Sequence, residues 1–285
     1  MGYAPSPRPT FEGATHIPYA QVTRHLWGDD AAGRVDDWIY VSSDKIHQLV
    51  FGLPVGHSFR HSEAFRTVFG ADEVLYVLSG SFICANPETG EVQRAEKGEA
   101  MFFRKNTWHH GFSVGTEPLR VLEFFAPPPS TGSSGAYART RPYVETSRYT
   151  QDQWLGKWPM ERAAVEKSRM IQVQRDSDLM WRLEGNNQAA IVGLYAATEH
   201  LTAGKLQLLP GQRTDTFVHG GDKSLYLLTG CLNVLAPEND GQKWFEVHPR
   251  DGFYVPKGMP HQFHNMTSEP LEFVFGVAPA YHALG

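Results

Sequence analysis

Thirteen histidines and only two cysteines set the first limits on the chemistry open to this chain. Cys84 and Cys231 are too few for a thiolate zinc or iron–sulfur site or for a disulfide scaffold. Any metal centre must therefore draw on imidazole and carboxylate. The segment HSFRHSE carries His57, His61 and Glu63; His109 and His110 are adjacent, Lys223 follows His219 by four residues, and His264 follows His261 by three. Two imidazoles and one carboxylate suffice for a divalent ion of the iron or manganese kind, with positions left open for substrate and oxygen. An imidazole beside a buried carboxyl is instead equipped to move a proton. His57 and His61 have the spacing that aligns two ligands on a helix, but their segment has no helical pattern. The sequence contains no phosphate-binding loop, zinc-protease motif, nucleophile elbow or dinucleotide glycine fingerprint.

The elements that must position these residues occur twice. DEVLYVLSG at 72–80 matches DKSLYLLTG at 222–230, an offset of 150 that Pro87-Glu88 and Pro237-Glu238 keep. His109 and His261, Glu117-Pro118-Leu119 and Glu269-Pro270-Leu271, and Ala126-Pro127 and Ala278-Pro279 match at 152, so one two-residue insertion accounts for the series. Upstream, LPVG at 53–56 corresponds to LPGQ at 209–212, with the first copy about five residues longer there. Each copy is a series of short β-branched and aromatic runs such as HQLVFGL, LRVLEFFA and LEFVFGV, punctuated by Gly and Pro. That pattern predicts an all-β sandwich or barrel.

The expected organisation is an N-terminal arm over 1–39, a first domain over 40–127, a linker over 128–170 and a second domain over 171–285. The linker opens on a Pro/Gly/Ser-rich stretch and holds a short helix within 151–167. The net charge of −5 and the lack of a basic run argue against a nucleic-acid partner. No apolar run reaches membrane-spanning length, and the composition reads as that of a soluble, cytoplasmic protein.

The repeated strands, turns and histidines resemble the cupin superfamily, so the chain is similar to a bicupin: two double-stranded β-helix (jelly-roll-like) barrels in one chain. In that family two histidines and a glutamate of a first motif and one histidine of a second hold a divalent metal. The second motif is close in copy two, with Pro256-Lys257-Gly258, His261 and Asn265. In copy one Arg104 and Asn106 take the Pro and Gly positions before His109. Counting back from Gly80 and Gly230, the family glutamate position is Glu73 in copy one and Lys223 in copy two. The motif-one histidine positions are Thr67 and Phe69 in copy one, Phe217 and His219 in copy two. Both ligand sets are incomplete.

Two routes to a complete set remain. In copy one, His61 folds back from the extra residues to join Glu73 and His109. In copy two, Asp215 shares the strand parity of His219 and points inward with His219 and His261. Lys223 opposes the second route, because a cation about 4 Å from an ion costs about 4 kcal/mol per unit charge at an effective dielectric near 20. Without a metal, Glu73 and His109 form an acid–base pair, and Lys223 serves as a carboxylate anchor or an amine of lowered pKa. Phe102, Phe103, Trp108, Phe112, Phe217, Phe253 and Phe263 are candidates to line a pocket for a small cyclic ligand, or to be barrel core.

The expected function is a mononuclear-metal enzyme of the oxygenase type acting on a small organic or aromatic acid. Fe(II) is the expected ion, with Mn, Ni, Zn or none as alternatives. A metal-dependent isomerase or lyase, and a metal-free bicupin that binds a small molecule or is structural, are the other readings. Cupins pair through sheet edges and arms, and the unpatterned residues 1–35 suit that purpose, so a homodimer is expected.

Overall fold

The computed structural model describes residues 6–127, 135–150 and 152–282. Each repeat folds into two antiparallel sheets around its own apolar core. In barrel one a seven-stranded sheet runs Gln172–Gln174, Ala100–Phe103, Asp72–Ser79, Leu119–Ala126, His47–Leu53, Gly33–Ser42 and Thr23–Asp29. Its four-stranded partner runs Ser58–Phe59, His110–Ser113, Ser81–Ala85 and Val92–Glu96. Barrel two repeats the plan. Its large sheet runs Thr15–Ile17, Gly252–Val255, Asp222–Thr229, Leu271–Ala278, Thr202–Leu208, Ala190–Ala197 and Met180–Glu184, and Trp244–Val247, Leu232–Leu235 and Gln262–His264 form the small sheet.

The strands of the two sheets differ in sequence because they differ in what covers them. Val92–Glu96, on a small sheet, alternates exposed and buried residues, as a strand with one wet face should. Asp72–Val77 is buried throughout. Leu75 and Val77 enter the core of barrel one, whereas Val74 and Tyr76 pack between the barrels. Asp222–Thr229 divides likewise, with Leu225 and Leu227 inside and Tyr226 between. The two large sheets therefore pack back to back, and Tyr40, Ile46 and Phe124 meet Tyr226, Tyr254 and Val274 in a shared core. Two buried polar side chains there pair across the barrels: Ser224 donates to the Gln48 side-chain carbonyl, and Gln48 Nε2 donates to the Leu225 carbonyl at 3.2 Å.

The ends of the expected domains are exchanged. Within the expected arm 1–39, Thr15–Ile17 pairs with Gly252–Val255 of barrel two, while Thr23–Asp29 and the start of Gly33–Ser42 form an edge hairpin of barrel one. Conversely, Gln172–Gln174, inside the expected second domain, pairs with Ala100–Phe103 of barrel one. The segment expected to cover a partner's sheet edge thus covers an edge of its own chain. Residues 128–134, the start of the expected linker, lie outside the described residues. The expected helix of 151–167 is a 3-10 turn at Asp152–Trp154 and a six-residue helix at Arg162–Lys167. Gly156, with φ +79°, and Pro159 interrupt the rest.

Back-to-back packing makes the chain sensitive to added bulk at the shared core. A Cβ on Gly276 would stand 2.7 Å from Phe124 and 3.0 Å from Ile46 of the other barrel. Gly276→Ala is expected to destabilise the protein by about 1–3 kcal/mol, measured as a lower urea midpoint with an unchanged slope.

Candidate active site

The backbone confirms the equivalence of the two motifs. The His109 N–H donates to the Thr67 carbonyl and the His261 N–H to the Phe217 carbonyl, each at 3.0 Å. The Asn106 N–H reaches the Phe69 carbonyl at 2.8 Å and the Gly258 N–H the His219 carbonyl at 3.0 Å, with both donors at positive φ. Asn106 replaces glycine there because asparagine tolerates the left-handed region better than most residues. Thr67, Phe69, Glu73 and His109 therefore superimpose in role on Phe217, His219, Lys223 and His261.

In barrel two, Lys223 holds the centre. It is 1% exposed, and its ammonium lies 4.7–5.0 Å from the ring centroids of Phe217, Phe263 and Phe275. Its Nζ is 3.3 Å from His219 Nε2, while His219 Nδ1 is 2.6 Å from the Tyr281 carbonyl, so Nδ1 carries the proton and Nε2 accepts from the lysine. His261 Nε2 is buried without a partner. Burial lowers Lys223 to about 7, and burial together with Lys223 lowers His219 to about 2 and His261 to about 3. The lowered amine expected from the sequence is present, but three phenyl rings wall it in. Asp215 does not point inward with His219 and His261. Its carboxylate accepts the backbone N–H groups of Asn186, Asn187 and Gln188 at 2.6–3.0 Å, because three unpaired donors of that loop converge on it.

Barrel one keeps Glu73 and His109 together but leaves His61 out. His61 Nδ1 is 2.5 Å from His110 Nε2 and His61 Nε2 is 2.7 Å from the Val144 carbonyl, with His110 Nδ1 2.8 Å from the Tyr149 hydroxyl. The imidazole pair fastens residues 143–149 to the barrel instead of reaching its interior, and His57 and Glu63 are exposed. Glu73 Oε2 is buried without a hydrogen-bond partner, 3.8 Å from His109 Nε2. His109 Nδ1 lies 3.3 Å from the Thr107 carbonyl, which leaves the Nε2 lone pair facing the acid. Phe69 is half-buried, its ring centroid 5.7 Å from that of His109.

Beside this pair lies a cavity of about 110 Å³ whose wall carries Asp37, His47, His109 and Glu123 among Leu49, Phe51, Phe59, Phe69 and Phe125, with Arg8. Asp37, His47 and Glu123 are not singled out by the repeat or the motifs. Their signal in the sequence is parity: Glu123 shares the inward face of Val121 and Phe125, a charge inside an apolar alternation. Strand register aligns Asp37 with Val192, His47 with Thr202 and Glu123 with Phe275 of barrel two. Barrel one is thus polar at the positions where barrel two is filled. Of the aromatic residues expected to line a pocket, Phe217 and Phe263 surround Lys223, and Phe103 packs on His109.

Burial inverts the usual order of proton affinities in this cavity. Asp37 is held well above the carboxylate range by burial and then by the charge of Glu123. Glu73 is raised by burial first and then by Glu123, to which it is hydrogen-bonded, and burial pushes Glu123 up to about 7. Burial lowers His109 to about 4 and His47 to about 3. Burial thus favours protonated carboxyls and deprotonated imidazoles, because a dry interior favours the uncharged form of each.

Neither barrel fits the family's ion in the family's way. Barrel two places a lysine where the carboxylate belongs. Barrel one supplies two facing donors, Glu73 and His109, with Thr67 and Phe69 at the other ligand positions. Among the described residues, the one group of three His, Cys, Asp or Glu side chains with donor atoms mutually within 4.8 Å is Cys231, Glu246 and His248, away from both barrel interiors.

The buried groups predict an unusual pH dependence of stability. Glu123 rises from 4.5 to about 7 on folding, so between these values the folded chain retains a proton that the unfolded chain has lost. Stability falls by on the order of 3 kcal/mol across that window. Lys223 drops from 10.5 to about 7, so stability is recovered as pH rises from about 7 to 10.5. The buried histidines, lowered to about 2–4, contribute with the opposite sign below pH 6.5, so each limb is read in thermal melts as the difference between wild type and variant. Glu123→Gln should flatten the acid limb and Lys223→Met the alkaline limb.

Comparison with known proteins supports the fold. The family model described as the cupin domain matches residues 70–125 and 204–277. Comparison with curated proteins finds no match. Among solved structures, a putative glyoxylate-induced protein from Pseudomonas aeruginosa is similar at a TM-score of 0.65 and 13% identity, covering 98% of this chain and 94% of that one. Oxalate decarboxylase from Bacillus subtilis is similar at 0.60 and 16% identity, covering 97% and 79%. AerE from Microcystis aeruginosa is similar at 0.58 and 8%, covering 90% and 97%. With two cupin-domain matches and this architecture, the chain has the bicupin fold, and both of its metal-binding motifs are incomplete.

Proposed function

We propose that barrel one is a proton-transfer chamber for a small organic acid, and that barrel two is its scaffold. The observation that carries this reading is the wall of one cavity: Asp37 and Glu123 with raised proton affinity facing His47 and His109, whose affinity is lowered, while barrel two has Val192, Phe275 and Thr202 in place of Asp37, Glu123 and His47 and keeps only a histidine, His261, in place of His109. A carboxyl kept protonated in an apolar site donates a hydrogen bond to a developing oxyanion. A group that titrates near 7 is suited to take a proton and return it. Glu123 is the candidate acid–base group and His109 the second base. Asp37 is the hydrogen-bond donor, and Glu73 is a positioning residue that hydrogen-bonds Glu123 from behind. Arg8 provides a cation for the carboxylate of the substrate. An isomerisation or elimination that begins with removal of a proton from carbon uses all of these groups. The cavity volume of about 110 Å³ limits the reacting part to a few heavy atoms, since an apolar cavity of about 150 Å³ holds benzene.

A second reading keeps the divalent ion and oxygenase-type chemistry. It is favoured by the unpartnered Glu73 Oε2, 3.8 Å from the free lone pair of His109. Both residues would then be among its ligands, and the ion would polarise substrate or activate oxygen. A homodimer in the cytoplasm, with no nucleic-acid or membrane partner, belongs to either reading.

Hydrogen–deuterium exchange separates the two. Small carbonyl-bearing acids incubated with the protein in D2O, without added metal and with chelator, are expected to take up deuterium at carbon. Glu123→Gln and His109→Asn should slow that uptake at least 100-fold, while Lys223→Met leaves it within about twofold. Exchange unchanged in Glu123→Gln would reject the chamber. About one iron, manganese, nickel or zinc per purified chain, lost in His109→Asn, would establish the second reading instead.

A further inference from the structure

Between the barrels, apart from either interior, lies a cleft of about 480 Å³, within the range of roughly 300–1,000 Å³ common for small-ligand sites. Trp38, Tyr76 and Arg120 line it from barrel one, and Tyr226 and Arg250 from barrel two. Guanidinium groups gather around its aromatic wall. Those of Arg24 and Arg120 lie 4.1 and 4.5 Å from the Trp38 ring, and that of Arg250 lies 3.6 Å from the ring of Tyr19. Arg120 lies across Gly52, where an added Cβ would fall 2.1 Å from its Nη1.

Among the described residues, none of these three arginines has a carboxylate within 4 Å. Glu272 also lines the cleft, but its carboxylate is engaged by Gln207 and lies 3.5 Å from Lys205. Burial holds Arg120 below the usual arginine range; Asp36 and Tyr19 oppose that shift, and Arg24 and Arg250 add to it. The Trp38 indole N–H is buried without a partner, in a side chain only 4% exposed.

The backbone at Arg250 points the same way. Its N–H donates to the Leu227 carbonyl at 2.9 Å, as the N–H of Gly98 donates to the Val77 carbonyl at 2.9 Å in the equivalent turn of barrel one. Gly98 has φ +88° and Arg250 φ +79°. An arginine thus occupies a left-handed position that glycine fills in the other copy, and a non-glycine residue is strained there. Its backbone role needs no side chain: the Tyr40 hydroxyl donates to the Arg250 carbonyl at 2.7 Å.

We propose that this cleft binds a small aromatic carboxylate, with the ring against the Trp38 and Tyr226 wall and the carboxylate taken by Arg120 and Arg250. Guanidinium pairs match the planar carboxylate, and the aromatic wall selects a ring over a bare anion.

Benzoate titrated into the full-length protein and followed by calorimetry tests this. One equivalent is expected to bind at low salt, with affinity falling as ionic strength rises. Arg120→Gln and Arg250→Gly are each expected to raise the dissociation constant at least tenfold. Glu123→Gln, in the barrel-one chamber, should leave it unchanged. Arg250→Gly is expected to keep or raise the melting temperature, since it restores the residue the turn takes in barrel one; weakened binding there therefore reports the lost guanidinium. Three results would overturn the proposal: no saturable binding, binding lost in Glu123→Gln but kept in Arg120→Gln, or inorganic phosphate binding as tightly as benzoate.

Discussion

The central strands of both large sheets are covered on both faces, one by the interior of their own barrel and the other by the opposite barrel. Side chains on a strand alternate, so each residue on these strands belongs either to a barrel core or to the shared core. Val74, Tyr76, Leu122 and Phe124 take the second role in barrel one, as Tyr226 and Val274 do in barrel two. Residues at odd positions, Glu73, Leu75 and Glu123 among them, are driven inside. The acid groups of barrel one are therefore buried as a consequence of sheet packing, and their altered proton affinities follow from that burial. The exchanged edge strands reinforce the constraint, because Thr15–Ile17 and Gln172–Gln174 tie each barrel to the segment that precedes the other.

Within this frame the two copies have resolved the loss of ligands differently. Barrel two fills its centre: Lys223 takes the place of an ion, satisfied by the His219 lone pair and three phenyl rings, and Val192 and Phe275 occupy the flanking positions. A buried ammonium with no carboxylate tends to give up its proton, and its pKa near 7 reflects that tension. Barrel one keeps a cavity. Its carboxyls sit close enough to raise one another, and its imidazoles are kept neutral by the same dry surroundings. One architecture thereby holds a filled interior and an acid-rich one with a cavity, and the difference lies in a handful of inward positions.

Asp72 and Asp222 show what stays constant between the copies. Asp72 accepts from the Lys105 N–H at 3.1 Å and from the Thr198 hydroxyl of barrel two at 2.7 Å. Asp222, at the same place in the repeat, accepts from the Lys257 N–H at 3.0 Å and the Tyr254 hydroxyl at 2.7 Å, and faces Lys45 of barrel one at 3.7 Å. These anions brace motif turns and barrel contact together.

The doubled barrel, the equivalence of Glu73 with Lys223 and of His109 with His261, and the gaps in both ligand sets were legible in the residues alone, because repeats and strand alternation are local properties. The chamber was only partly legible. Glu73 and His109 lie on strands the repeat marks, but Asp37 and His47 come from strands far away in the chain, and nothing local indicates that they share a cavity with Glu123. The sequence points His61 inward from its place in the extra residues of copy one, and Asp215 from strand parity. Tertiary structure decided otherwise, because His110 and the Val144 carbonyl engage His61, and a loop with three open N–H donors captures Asp215. Which strand completes which barrel was likewise beyond local pattern: a three-residue edge strand has too few side chains to specify its partner, and the shape of the opposite barrel specifies it instead.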